Sequence, residues 1–129
     1  MKKGDFLLSW SATLDTFIWN GPNAILNQHI FNVKPKNGNS LRFAYYLISF
    51  EIENLKQKTH GTGMKHITKR DLDRVEILLP NQKEQERIAD IMTVFDKEIS
   101  LLRTKLSAFK SCKLALMQKL LTGKIRVKV

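Results

Sequence analysis

The chain holds one cysteine, three prolines and three histidines in 129 residues. A lone Cys112 cannot close an intramolecular disulfide, which favours a reducing compartment. His29, His60 and His66 do not combine with Cys112 at metal-ligand spacing. His60 and His66 share one loop, and solvated side chains are the ordinary state there. Neither a metal nor a cofactor is therefore expected. No apolar run approaches the roughly 20 residues of a membrane span. The stretch Phe6 to Trp10 is too short for a signal peptide and is flanked by Asp5 and Asp15. A glycine-rich phosphate loop and a dinucleotide fingerprint are both absent, as is the Asn-Pro-Pro-aromatic signature of amino-methyltransferases. The carboxylate pairs Glu51/Glu53 and Asp71/Asp73 sit beside basic residues and read as solvated or capping groups. No catalytic constellation is left, so the chain is not expected to be an enzyme. It reads as soluble and cytoplasmic.

Acidic residues are also scarce: 12, against 22 Lys and Arg, a formal charge of +10. That excess favours a polyanionic partner, either nucleic acid or an anionic membrane surface.

Texture changes at Pro80. Residues 1–80 hold five of the six glycines, all three prolines, both tryptophans and both tyrosines. Residues 81–129 hold no proline and one glycine. The first part alternates short apolar runs with turn signals. Asp5–Trp10 reads as a strand opened by Gly4, and Thr16–Trp19 as a second, ended by Asn20-Gly21-Pro22-Asn23. Ala24–Val33 reads as a third extended segment, stopped before the Asn37-Gly38 turn. Ser40 is placed to cap a helix over Leu41–Asn54, whose apolar residues Leu41, Ala44, Tyr45, Ile48 and Ile52 recur at spacings of three and four. A polar loop follows from Lys56. Thr68 or Asp71 then caps a short turn, and Arg74–Leu79 reads as a last strand stopped by Pro80. The expected fold class is α+β: a small mixed domain over 1–80, one long helix over 81–123 forming a coiled coil, and a basic tail over 124–129.

The second part reads as one helix. Asn81 can cap it, the helical signal runs to about Leu121, and Thr122-Gly123 supplies a C-terminal stop. About forty residues span about 60 Å. Ile88, Ile91, Phe95, Ile99, Leu102, Leu106, Phe109, Leu116 and Leu120 follow a near-heptad repeat, with Lys113 in the stripe and a stutter at Phe95–Ile99. An 80-residue domain has a diameter of about 25–30 Å, so it cannot cover such a stripe. Self-association through a coiled coil is one solution, and a hairpin folded back at the stutter is the other.

The segment from Lys56 to Arg70 is the candidate binding loop. Lys56, Lys58, Lys65, Lys69 and Arg70 carry positive charge. Gly61 and Gly63 let backbone approach a phosphate closely. Thr62 can donate to phosphate oxygens, and His60 and His66 add polar rings. Such a composition suits DNA, where cations give salt-dependent affinity and polar side chains read bases. A solvated basic loop has the same composition.

Taken in order, the motifs resemble the specificity subunits of type I restriction–modification systems. The matching string runs Gly61-Thr62-Gly63-Met64-Lys65-His66-Ile67, then Leu72 to Pro80 (LDRVEILLP), then Glu84-Gln85-Glu86-Arg87-Ile88-Ala89 and Phe95-Asp96-Lys97-Glu98-Ile99. Leu114 to Gly123 (LALMQKLLTG) completes it. Gly4 to Ser9 resembles the family's Gly-Asp-Ile-Leu strand, and Leu26 to Ile30 its Asn-Gln-His segment. The resemblance implies a noncatalytic DNA-recognition module followed by a spacer helix that docks methyltransferase and possibly restriction subunits. A full subunit of this family resembles two recognition domains joined by two antiparallel spacers, whereas this chain is expected to hold one spacer and a partial recognition domain over 1–80 that begins at the Gly-Asp-Ile-Leu-like strand. Two copies related by two-fold symmetry would imitate the full subunit and read double-stranded DNA at a split site. The alternative is a truncated half that dimerises and docks on methyltransferase subunits without reading DNA sequence.

Overall fold

The computed structural model describes residues 1–10, 14–59 and 76–128. Three short strands form an antiparallel sheet. Strand β1 (Phe6–Ser9) lies in the middle, flanked by β2 (Asp15–Ile18) and β3 (Ile30–Val33). Phe6 faces Ile18 on one side and Val33 on the other, and Leu8 faces Thr16 and Phe31. The most apolar strand takes the middle because both its edges are then hydrogen-bonded and its side chains covered. Phe6 and Leu7 are 0% exposed.

Helix α1 (Leu41–Thr59) covers the sheet face that carries Phe6 and Leu8. Tyr45 meets Phe6 edge to face at 5.5 Å, and Ser49 shares a 2.6 Å hydroxyl hydrogen bond with Thr16. Phe43 and Ile52 are buried. Ser40 caps the helix as its sequence context implies: its hydroxyl accepts from Phe43 N at 3.4 Å and its carbonyl from Ala44 N at 2.9 Å.

Three boundaries differ from the sequence reading. Helix α1 runs five residues past Asn54, because Leu55 continues the apolar spacing from Ile52 and Lys56 reaches back to Glu53. Lysine and glutamine are good helix formers, and their polarity had pointed to a loop. Only the last four residues of Ala24–Val33 form strand. Asn27 starts a turn in which its side chain accepts from His29 N and its carbonyl from Ile30 N. Within the expected strand Arg74–Leu79, residues 76–79 carry no regular structure and Leu78 is 99% exposed. Both edges of β1 are already taken by β2 and β3, so that segment has no place beside the central strand. The rest of it, and the expected turn at Thr68 or Asp71, lie outside the described residues.

Helix α2 (Gln82–Leu120) is continuous over 39 residues. Asn81 caps it, its side chain accepting from Glu84 N at 3.1 Å and its carbonyl from Gln85 N at 3.0 Å. Glu84 adds negative charge to the first turn and Lys119 positive charge to the last, both favourable to the helix dipole. The end is a left-handed glycine stop. Gly123 has φ +71°, its N–H donates to Leu120 O, and Ile125 N reaches Lys119 O. The chain separates into two compact units, Met1–Asp90 and Ile91–Val129.

At the start of β1, the Asp5 carboxylate accepts from Lys2 N at 2.8 Å and from Asn32 Nδ2 at 2.9 Å. The Lys2 backbone bond is the main cause holding its pKa below the usual carboxylate value, with Asn32 adding to it against partial desolvation. A depressed carboxylate pKa stabilises the fold above the ordinary value of about 3.9 and loses that contribution as pH falls through the lowered one. Asp5→Asn should therefore flatten the acid limb of a stability–pH curve below about pH 4 and leave the curve's shape near neutrality unchanged; urea unfolding at several pH values measures this. Phe6→Ala removes a fully buried ring and should cost about 3–5 kcal/mol in the same experiment.

Candidate nucleic-acid interface and pairing helix

The basic residues expected to meet DNA start on helix, not loop. Lys56 lies in the last turns of α1, its amine on the Glu53 carboxylate at 2.5 Å. Lys58 follows within the same helix. His60, Thr62, Lys65, His66, Lys69 and Arg70 lie outside the described residues.

On α2 the stripe can be followed residue by residue. Ile88 is half-buried. Ile91, Phe95, Ile99, Leu102, Leu106, Phe109, Leu116 and Leu120 are each between 40% and 63% exposed. Every described residue from Val94 to Lys128 is exposed. The embedded residues of the helix are instead Gln85 and Ala89. At 100° per residue they lie roughly 110° around the helix from the centre of the stripe. Among the described residues, the contacts that seat the helix start thus use a different face from the apolar stripe.

Charge is divided along α2. Residues 82–100 carry five acidic and three basic side chains, whereas 101–120 carry five basic and none acidic. Lys124, Arg126 and Lys128 extend the positive end. Cys112 is exposed and free.

Two arrangements escaped the sequence reading. Gln85 is 1% exposed and bonds to two other segments of the chain. A glutamine one turn after a helix cap reads as solvated, and only the adjoining Ala89 hinted at a buried face. At the sheet margin, Trp10 stacks on Phe31 (6.0 Å, 19°) and meets His29 at 5.4 Å. Trp10 Nε1 and His29 Nδ1 are buried with no hydrogen-bond partner among the described residues. The adjacent Asn27-Gln28-His29 motif was the available signal for that cluster. No helix among the described residues is long and apolar enough to cross a membrane.

Residues 1–110 match the type I restriction modification DNA specificity domain. The chain belongs to this family. The match takes in the sheet, α1 and α2 as far as Lys110. Two relatives of this specificity domain come from Methanocaldococcus jannaschii. The chain is 29% identical to the type I restriction enzyme MjaVIII specificity subunit over 124 residues, covering 95% of the chain. It is 36% identical to the putative type I restriction enzyme MjaX specificity subunit over 86 residues, covering 67% of the chain. It spans 29% and 20% of the lengths of those two relatives.

Proposed function

We propose that this chain is the noncatalytic DNA-recognition module of a type I restriction–modification complex and that two copies pair through α2. Membership of the DNA specificity family carries the first half of this reading, and the charge of +10 is consistent with it. Lys58 and Lys69 fall on phosphates, Thr62, Lys65 and His66 lie near the DNA, and Lys56, His60 and Arg70 complete the basic segment. Methylation and cleavage belong to partner subunits docked on the assembly. The complex works in the cytoplasm, where its DNA is.

The uncovered stripe of α2 supports pairing. Most helical stability in proteins comes from packing an amphipathic face, and among the described residues this one stays exposed. A second copy supplies a helix of equal length and the same repeat. Charge favours the antiparallel sense: each wholly basic half then lies along an acid-rich half, whereas parallel pairing sets five cations beside five. Exposed ion pairs contribute little strength individually, so they select direction, and the apolar stripe supplies affinity.

Selection of bound duplexes from random DNA tests recognition. A sequence-preferring pool is expected, with affinity falling steeply as salt rises. Reversing Lys58, Lys65 and Lys69 to Glu should abolish binding, and unchanged binding would remove those residues from the interface. Weak, sequence-blind binding alongside capture of methyltransferase subunits would favour a docking protein instead.

Leu102→Asp with Leu106→Asp should give monomers in sedimentation; a double variant that stays dimeric puts the seam on another face. Oxidation tests direction. Antiparallel pairing centred on the stripe sets the two Cys112 residues roughly 25 Å apart, far beyond the roughly 7 Å limit for a disulfide. No covalent dimer should form, and rapid cross-linking would mean parallel helices.

A further inference from the structure

Gln85 is the one buried polar side chain on α2 among the described residues, and its whole amide is engaged. Nε2 donates to Asn39 Oδ1 at 2.8 Å and to Pro80 O at 2.9 Å. Oε1 accepts from Ser40 N at 3.0 Å. Both amide protons are therefore spent, and the oxygen has a partner.

The partners are themselves fixed. Asn39 Nδ2 donates to Lys36 O at 2.7 Å, closing the turn that holds Asn37 and Gly38 in left-handed conformations (φ 56° and 74°). Ser40 is the cap of α1. Pro80 immediately precedes the cap of α2. One side chain thus ties the starts of both helices to the same turn. Ala89, fully buried one turn on, allows close approach on that face. Beyond it Arg42 and Asp90 form an ion pair at 2.7 Å, too exposed to add much strength.

We infer that Gln85 is a positioning residue, fixing the direction in which α2 leaves the recognition domain and hence the spacing between the two half-sites that a pair of copies reads. The spacing part rests on the paired DNA-reading module proposed above. An apolar side chain would fill the same volume but permit rotation and sliding. Three hydrogen bonds of defined direction do not. Leverage makes this consequential. From the middle of a 39-residue helix to its start is about 29 Å. A 10° swing there moves the domain by about 5 Å, more than one base-pair step of about 3.4 Å.

Gln85→Leu keeps the volume and removes the bonds. Asn39→Ala is the second variant, removing one bond without touching α2. The first readout needs no DNA: residual dipolar couplings from β1–β3 and from residues 83–90, both within the Met1–Asp90 unit. In the native protein one alignment tensor should fit both sets. In Gln85→Leu the helix couplings should shrink relative to the sheet's, with an intermediate loss in Asn39→Ala. Loss of stability alone shifts a melting temperature and leaves this ratio unchanged. The second readout is binding to duplexes whose half-site separation is stepped by one base pair. The native protein should prefer one separation by about tenfold or more, and Gln85→Leu should bind neighbouring separations nearly equally.

Unchanged couplings in both variants would overturn the clamp. Loosened couplings with an unaltered spacing preference would overturn its role in spacing. A native protein blind to spacing would instead overturn the paired reading of DNA, while the couplings still decide whether Gln85 holds the helix.

Discussion

An amphipathic helix keeps an apolar stripe in water only if something covers it. From Val94 onward α2 is exposed on all sides while keeping a leucine, isoleucine and phenylalanine every three or four residues. The seating of the helix start does not relieve this, because it uses the Gln85–Ala89 face. Among the described residues, the helix start is seated through one face, and the stripe on another face stays exposed.

The recognition domain is economical in comparison. Among the described residues its core is the central strand, with a partner on each edge, and the buried Phe43 and Ile52 of α1. So small a core leaves little burial in reserve. Polar anchors consequently matter more here than in a larger domain: the Asp5 carboxylate at the start of β1, the Ser49–Thr16 hydroxyl pair between helix and sheet, and the Gln85 amide at the junction of the two helices.

Legibility in the sequence followed the strength of the local signal. Phe6-Leu7-Leu8, the Ser40 and Asn81 caps and the Gly123 stop could each be read because one residue type serves one backbone geometry. The family resemblance rested on the order of several such motifs and agrees with the match over residues 1–110. Lys56 and Lys58 lie in a stretch whose polarity reads as loop, yet the helix propensity of lysine and glutamine carries α1 through them. The apolar content of Arg74–Leu79 reads as strand, yet residues 76–79 carry no regular structure, and Arg74 and Val75 lie outside the described residues. The burial of Gln85 is not legible, since nothing in a linear sequence shows that Asn39 lies beside it. The expected DNA contacts His60, Thr62, Lys65, His66, Lys69 and Arg70 fall outside the described residues, so Lys56 is the one member of that set whose side-chain surroundings are described.

The distribution of aromatic residues has an optical consequence. Trp10 lies against Phe31, Trp19 donates to Pro22 O, and Tyr45 and Tyr46 sit on α1, whereas α2 and the tail contain neither tryptophan nor tyrosine. Indole emission and the tryptophan and tyrosine bands of near-ultraviolet dichroism therefore report on the part of the chain before α2. The rod, which holds 39 of the chain's helical residues, dominates the far-ultraviolet signal. Two wavelengths recorded on one sample would separate melting of the globular part from fraying of the rod, with no label introduced.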